Sequence, residues 1–188
     1  GLKKNVILKV SDLSKSYPGV QALDAVNFDL KVGEVHALVG ENGAGKSTLI
    51  EILAGSIKPD DGKIVIEDTA YDSLDPVKSI ETGIQTVHQE NRLVEEMSIA
   101  ENIYLYNLQT NDAGFFSFKN CLQASDELLQ SLGINLPSQR KVAKLSPVEK
   151  KLVSIAKAFS RKANMLILDE PTASLDEHGK NILFQIIR

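Results

Sequence analysis

Cysteine is nearly absent. Cys121 stands alone among 188 residues, so no disulfide can form within the chain, and a reducing compartment is the simplest setting for it. Catalysis by that thiol would need a base beside it. No run of about 18 apolar residues occurs, and no secretory signal pattern opens the chain, so a membrane role is expected to require another subunit. A surplus of basic charge is also missing. Lys and Arg total 21 against 25 Asp and Glu, a net charge of -4, which speaks against a dedicated nucleic-acid surface because phosphate contacts are made by clustered Lys and Arg. The three histidines, His36, His88 and His178, are too scattered to read as a metal cluster. No internal repeat or low-complexity stretch is visible. What is present is a 43% hydrophobic content, enough for the packed core of one domain, or of one domain with a small insertion. Both ends read as cuts: Gly1 stands where an initiator Met is expected, and the amphipathic run 180–188 stops without a cap.

The apolar periodicity changes along the chain. Short alternations at 6–10 and 25–30 predict antiparallel strands, with 14–19 as a turn-rich connection. Residues 34–39 predict a buried strand, followed by a glycine loop and a helix over 48–53 that Gly55 ends. Residues 58–62 predict a turn, and 63–67 and 83–87 further strands, so that the sheet is expected to be mixed. Helical patterns then dominate: 98–105, 119–132 closed by Gly133, and 146–160 with Leu152, Ile155, Ala156 and Phe159 on one face. These predict an inserted helical subdomain over 97–160, with 1–96 and 161–188 forming the core and a β subdomain. The run 165–168 ends in Asp169-Glu170-Pro171 and suits a central parallel strand with carboxylates at its C-terminal tip.

The chemistry begins at Gly40-Glu41-Asn42-Gly43-Ala44-Gly45-Lys46-Ser47, with Thr48 behind it. The string fits the P-loop pattern, in which successive backbone N–H groups and the N-terminus of the next helix surround phosphates. Glycines let the backbone come close, Lys46 would reach the β and γ phosphates, and the Ser47 hydroxyl would ligate Mg²⁺. A glycine-rich turn that binds nothing is the alternative, and the position between a strand and a helix argues against it. Asp169 and Glu170 suit the second half of such a site, one carboxylate holding Mg²⁺ through water and the next polarising the attacking water. Taken alone they read equally as an ordinary strand leaving the core.

In the order of these motifs the chain resembles, over essentially its whole length, the nucleotide-binding domain of ABC transporters. The resemblance implies an α/β fold, a P-loop NTPase (RecA-like) core with an antiparallel β subdomain and an inserted α-helical subdomain. It makes Tyr17 the aromatic that stacks on adenine, Gln89 the glutamine that senses Mg²⁺ and the membrane subunit, and Ser174, Leu175 and Asp176 the dimer-contacting loop. Residues 38–48, 87–90 and 98–103 resemble the ATPases of ribose, galactose and xylose importers, where two such domains are commonly fused in tandem; this chain resembles the first. The implied cofactors are ATP and Mg²⁺, with Lys46, Gln89 and Glu170 in catalysis and Ser47, Gln89 and Asp169 at the metal. The implied partners are a second nucleotide-binding domain in the same polypeptide, integral membrane permease subunits and, indirectly, a periplasmic or extracellular sugar-binding protein, with no nucleic acid. The implied place is the cytoplasmic face of the cell membrane.

The family's signature, Leu-Ser-Gly-Gly-Gln, is altered here to Leu145-Ser146-Pro147-Val148-Glu149. Pro147 has no N–H, Val148 adds a Cβ where close approach is wanted, and Glu149 brings negative charge toward a phosphate that Lys150 and Lys151 offset in part. Ser146 to Glu149 also spells a capping box with Pro at the first helical position, so Ser146 has a partner in its own helix. The expectation is asymmetry: the Walker residues form a working site with a partner's signature, while this signature completes a degenerate one. The family's switch histidine has no counterpart among the three histidines, so the 188 residues are expected to bind ATP and Mg²⁺ but to hydrolyse slowly or not at all as a monomer. Two other classes compete. A soluble ABC ATPase of translation or DNA repair would want a basic face or a long coiled-coil insertion, and neither is present. A nucleotide-gated regulatory domain is encouraged by the altered signature and opposed by the intact Lys46, Asp169 and Glu170.

Overall fold

A computed structural model describes residues 6–88, 93–105, 109–110, 116–161, 163–173 and 175–187, and they divide into two compact units, 1–84 and 85–188. In the first, β1 (Val6–Tyr17) and β2 (Val20–Lys31) form an antiparallel hairpin. β1 also pairs with β3 (Asp61–Ile66), which pairs with β4 (Thr69–Tyr71), giving a purely antiparallel sheet in the order β2-β1-β3-β4. Its buried face follows from register: Leu8 lies opposite Ile66 and Val10 opposite Ile64, all four buried.

That alternation slips by one residue at Asp12, where φ is 51° and the pairing with β2 shifts, so the next buried side chain is Leu13. A left-handed non-glycine residue costs about 1–2 kcal/mol. Here it is offset by Asn27, whose amide nitrogen donates to Asp12 Oδ1 (2.9 Å) and whose oxygen accepts from the Asp12 N–H (3.0 Å). The bulge carries the strand beyond the break in its pattern. The turn expected over 14–19 is therefore confined to Pro18 and Gly19, while Ser14 to Tyr17 belong to β1.

Two short elements lie outside those the sequence pattern predicts. β4 follows a two-residue turn in which Glu67 and Asp68 both have positive φ, 46° and 71°, a geometry usually signalled by Asn-Gly. α2 (Pro76–Glu81) has the expected kind of start: the Asp75 carboxylate accepts from the Lys78 N–H (2.8 Å), with Pro first in the helix. α1 (Lys46–Leu53) buries Leu49, Ile50, Ile52 and Leu53, and left-handed Gly55 (φ 76°) follows its end as the sequence indicated. A Cβ at Gly55 would lie 2.2 Å from the Asp75 carbonyl carbon, so close approach as well as φ demands glycine there.

The strand expected over 34–39 does not form. The segment makes no ladder, and Val35, Leu38 and Val39 are 69%, 42% and 92% exposed. Apolar content makes a strand only where an edge pairs with its backbone, and this segment joins neither free edge of the sheet, at β2 or at β4. The single mixed sheet and the central position of 165–168 are not seen among the described residues either: β6 (Met165–Leu168) pairs with β5 (Ile84–Val87) in a separate two-stranded sheet, where neither strand is central.

The second unit is mainly helical. α3 (Ile99–Tyr104), α4 (Phe118–Ser131) and α5 (Pro147–Phe159) enclose one cluster that includes Ile99, Ile103, Cys121, Leu129, Leu152 and Ala156. Ile155 and Ala158 turn to a second cluster with Val87, Leu175 and Leu183, the last on α6 (Glu177–Ile187). Cys121 is 1% exposed and its thiol pKa is pushed up by burial, which makes it a packing residue rather than a nucleophile. Among the described residues no helix is long and apolar enough to cross a membrane.

Candidate nucleotide site

The loop before α1 is shaped by its glycines. Gly43 and Gly45 both have φ of 85°, and the Ala44 N–H donates to the Glu41 carbonyl (3.1 Å). The loop curls around its own lysine: Lys46 Nζ donates to the carbonyls of Gly40 (2.6 Å) and Glu41 (2.8 Å). α1 starts from Gly45 without any side-chain cap, so its first-turn N–H groups and positive dipole end face outward unclaimed. This is an anion-binding arrangement. The Ser47 hydroxyl is exposed and makes no hydrogen bond among the described residues.

β2 ties the loop to Tyr17. Tyr17 pairs with Val20 at the hairpin end, and two residues further on the Ala22 carbonyl lies where a Cβ on Gly45 would be, 2.1 Å away. At roughly 3.3 Å per strand residue, the aromatic and the loop share one end of β2. Tyr17 is 40% exposed, with Lys15 Nζ 5.8 Å from its ring centre.

In the second unit, β6 delivers Asp169, whose N–H donates to the Val87 carbonyl at the end of β5 (3.0 Å). The Asp169 and Glu170 carboxylates make no hydrogen bond among the described residues, and Glu170 is exposed with φ of 44°. A left-handed glutamate is a strained conformation of the kind that accumulates at functional sites. Leu175 is buried in the second cluster, and Asp176 Oδ1 accepts from the Gly179 N–H (2.8 Å), capping α6. Gln89 and Ser174 lie outside the described residues.

The altered signature is occupied by its own fold. Ser146 Oγ accepts from the Glu149 N–H (3.2 Å) and Glu149 Oε2 accepts from the Ser146 N–H (2.7 Å), the capping box the sequence spelled out. The sequence did not disclose Arg140, which donates to the other Glu149 oxygen (2.8 Å) and to the Lys144 carbonyl (2.6 Å). It also misplaced the two lysines. Lys150 pairs with Glu95 and Lys151 is buried against His88, so neither offsets the Glu149 charge; Arg140 does. Val148 packs at α6, its Cγ1 3.0 Å from the position of a Cβ on Gly179.

A second capping box joins Ser98 and Glu101 at α3. The Ser146 N–H first and Arg140 after it hold Glu149 below the ordinary 4.5, and the Ser98 hydroxyl followed by the Ser98 N–H does the same for Glu101. Folded values below unfolded ones mean that both boxes stabilise fully above the ordinary carboxylate value and lose this as pH falls through the folded one. Melting followed by far-ultraviolet dichroism from about pH 7 to about pH 3 should therefore show an acid decline, and Glu149→Gln should shallow it; an unchanged slope would count against the box.

Residues 23–173 match the family described as ABC transporter. The ribose import ATP-binding protein RbsA 1 of Rubrobacter xylanophilus is 42% identical over 182 residues, covering 97% of this chain and 36% of the relative. The arabinose import ATP-binding protein AraG of Paraburkholderia xenovorans is 40% identical over 181 residues, covering 96% and 35%. The chain thus spans little more than a third of these relatives. Among solved structures, an ATP-binding cassette of an ABC transporter in its ADP conformation superposes with a TM-score of 0.82 at 26% identity, over 97% of this chain and 75% of the other. The cbiO1 protein of Clostridium perfringens, part of the ABC transporter complex cbiONQ, gives 0.79 at 30% identity, over 98% and 73%. With its P-loop closed around Lys46 and a family match over most of its length, the chain belongs to the ABC transporter family as an ATP-binding cassette of the P-loop NTPase fold.

Proposed function

We propose that this chain is the first nucleotide-binding domain of a sugar-importer ATPase, coupling ATP binding and hydrolysis to solute transport. The observation that carries the reading is the loop itself: left-handed Gly43 and Gly45, Lys46 at its centre and an uncapped helix behind it. The names of the 40–42% identical relatives supply the sugar. ATP binds the loop through backbone N–H groups and Lys46, with its adenine on the exposed Tyr17 ring. The Ser47 hydroxyl and the Asp169 carboxylate are each hard oxygen donors of the kind Mg²⁺ takes, the role the family resemblance gives them together with Gln89. The metal would neutralise developing phosphate charge, and Glu170 orients the attacking water. The helices over 97–160, which share one core cluster, act as the signature subdomain on the core formed by 1–96 and 161–188. The partners are a second nucleotide-binding domain on the same polypeptide, membrane permease subunits and a sugar-binding protein beyond them, with this domain on the cytoplasmic face of the membrane.

The occupied signature supports asymmetry between the two composite sites. In a full-length Lys46→Ala protein, remaining turnover belongs to the site that this signature completes, and it should be close to background. Adding Pro147→Gly and Val148→Gly should raise it several-fold, at some loss of melting temperature because Val148 packs at Gly179. Mg²⁺-dependent ATPase assays of the full-length protein, with its permease in vesicles for sugar uptake, test the whole reading; hydrolysis indifferent to Lys46 would sink it.

A further inference from the structure

The hairpin tip that carries Tyr17 has no packed core around it, since residues 16–21 are all exposed. β3 begins at Asp61, opposite Ser14, so beyond that rung β1 has no strand on its β3 side. Asp60 takes the strand's place. Its N–H donates to the Ser14 carbonyl (2.9 Å), its Oδ2 accepts from the Ser16 N–H (2.7 Å), and its Oδ1 accepts from Lys15 Nζ (2.7 Å). The Lys15 side chain, only 16% exposed, is thereby held in place. Side chains two apart on a strand share a face, and the Lys15 ammonium lies over the Tyr17 ring, 5.8 Å from its centre. At that distance a cation is attracted to the negative face of an aromatic ring.

The same rungs of the hairpin meet the P-loop. Lys15 lies opposite Leu23 and Ser16 opposite Gln21, which leaves Ala22 without a partner as a bulge in β2. Bulges re-aim the chain beside functional sites. Here the Ala22 carbonyl and Leu23 Cδ2 lie against Gly45, 2.1 and 2.9 Å from where its Cβ would be. Lys15 thus sits on the rung that touches the loop, with Tyr17 two residues nearer the tip. Stability alone does not explain it, because a surface ion pair contributes little. Nor is it a free ligand for phosphate: the ammonium, followed by the Ser16 N–H, holds the Asp60 carboxyl below its ordinary value, and the two charges offset each other. What Lys15 does is back one face of a ring that is still 40% exposed.

We infer that Lys15, held by Asp60, is a positioning residue for the base of the nucleotide: it backs one face of the Tyr17 ring and fixes the other face for stacking. The inference rests on the reading above that Tyr17 receives adenine. In the full-length protein, Lys15→Met should raise the KM for Mg-ATP about threefold to tenfold, with kcat within about twofold. The inhibition constant of Mg-tripolyphosphate, which occupies the P-loop but has no base, should also stay within about twofold. Asp60→Asn, which loosens Lys15, should give part of the rise in KM. Lys15→Arg, which pairs with a carboxylate and stacks on a ring, should recover most of the loss. In a Tyr17→Ala protein, whose KM is itself raised, adding Lys15→Met should change little. A Met variant with unchanged KM would overturn the inference. So would one that fails to fold, one that weakens tripolyphosphate as much as ATP, an Arg variant no better than Met, or a Lys15 effect undiminished without the Tyr17 ring. Failure of the adenine reading would look different: Tyr17→Ala would by itself leave the KM unchanged, and Lys15 would then back a ring that meets no base.

Discussion

Lys46→Ala is expected to lower turnover at this domain's own site by a factor on the order of 10²–10³, the size seen when one preorganised donor to a developing oxyanion is removed. Lys46 is the loop's one cation, and Glu41 remains beside it as a negative charge. Its ammonium is already fixed by the carbonyls of Gly40 and Glu41, at 2.6 and 2.8 Å, so phosphate meets a charge that needs no reorganisation. The two bonds lost lie at an exposed loop and contribute little to folding, so the melting temperature should move by only a few degrees while affinity for ATP falls. Lys46→Arg should be nearly as damaging, because the loop encloses a point charge and a planar guanidinium fork does not fit that space. Titration with a fluorescent ATP analogue beside a melting curve checks both halves. Unchanged nucleotide affinity with a collapsed melting temperature would make Lys46 a structural residue.

Gly45→Ala should damage fold and site together. Its φ of 85° costs an alanine about 1–2 kcal/mol. Its new Cβ would also sit 2.1 Å from the Ala22 carbonyl oxygen and 2.9 Å from Leu23 Cδ2, and shifting packed backbone costs about 1–3 kcal/mol more. A total of about 2–5 kcal/mol is a large share of the 5–15 kcal/mol typical of a domain, and corresponds to a fall of roughly 5–20 °C in melting temperature. Gly43→Ala is the control, since Gly43 has the same φ but nothing within 4 Å of its Cβ position; it should lose only the conformational part. Equal losses in the two variants would mean that the contact with β2 is not what fixes the loop.

Much of the site was legible because its demands are local. Left-handed φ at 43 and 45 is written as glycine, the start of α5 as Ser-Pro-x-Glu and its face as Leu152, Ile155 and Ala156. What escaped was non-local or written in unusual residues. The Asp12 bulge depends on Asn27, 15 residues away, and hides half of β1 from an alternation count. A turn with two positive φ values, carried by Glu67 and Asp68, gives no glycine to notice. Residues 34–39 misled because hydrophobicity measures preference for an interior and says nothing about which edge will accept the backbone.

By itself, the sequence determined the left-handed glycines of the loop, the carboxylates that follow β6 and the capping at the signature, because each depends on residues a few positions apart. Only the tertiary structure decided what the charges around that signature do. Arg140, not a neighbouring lysine, neutralises Glu149, and Lys151 turns inward to a carbonyl 63 residues away. A charged side chain long enough to reach several elements takes its partner from the packing around it, which no local pattern records.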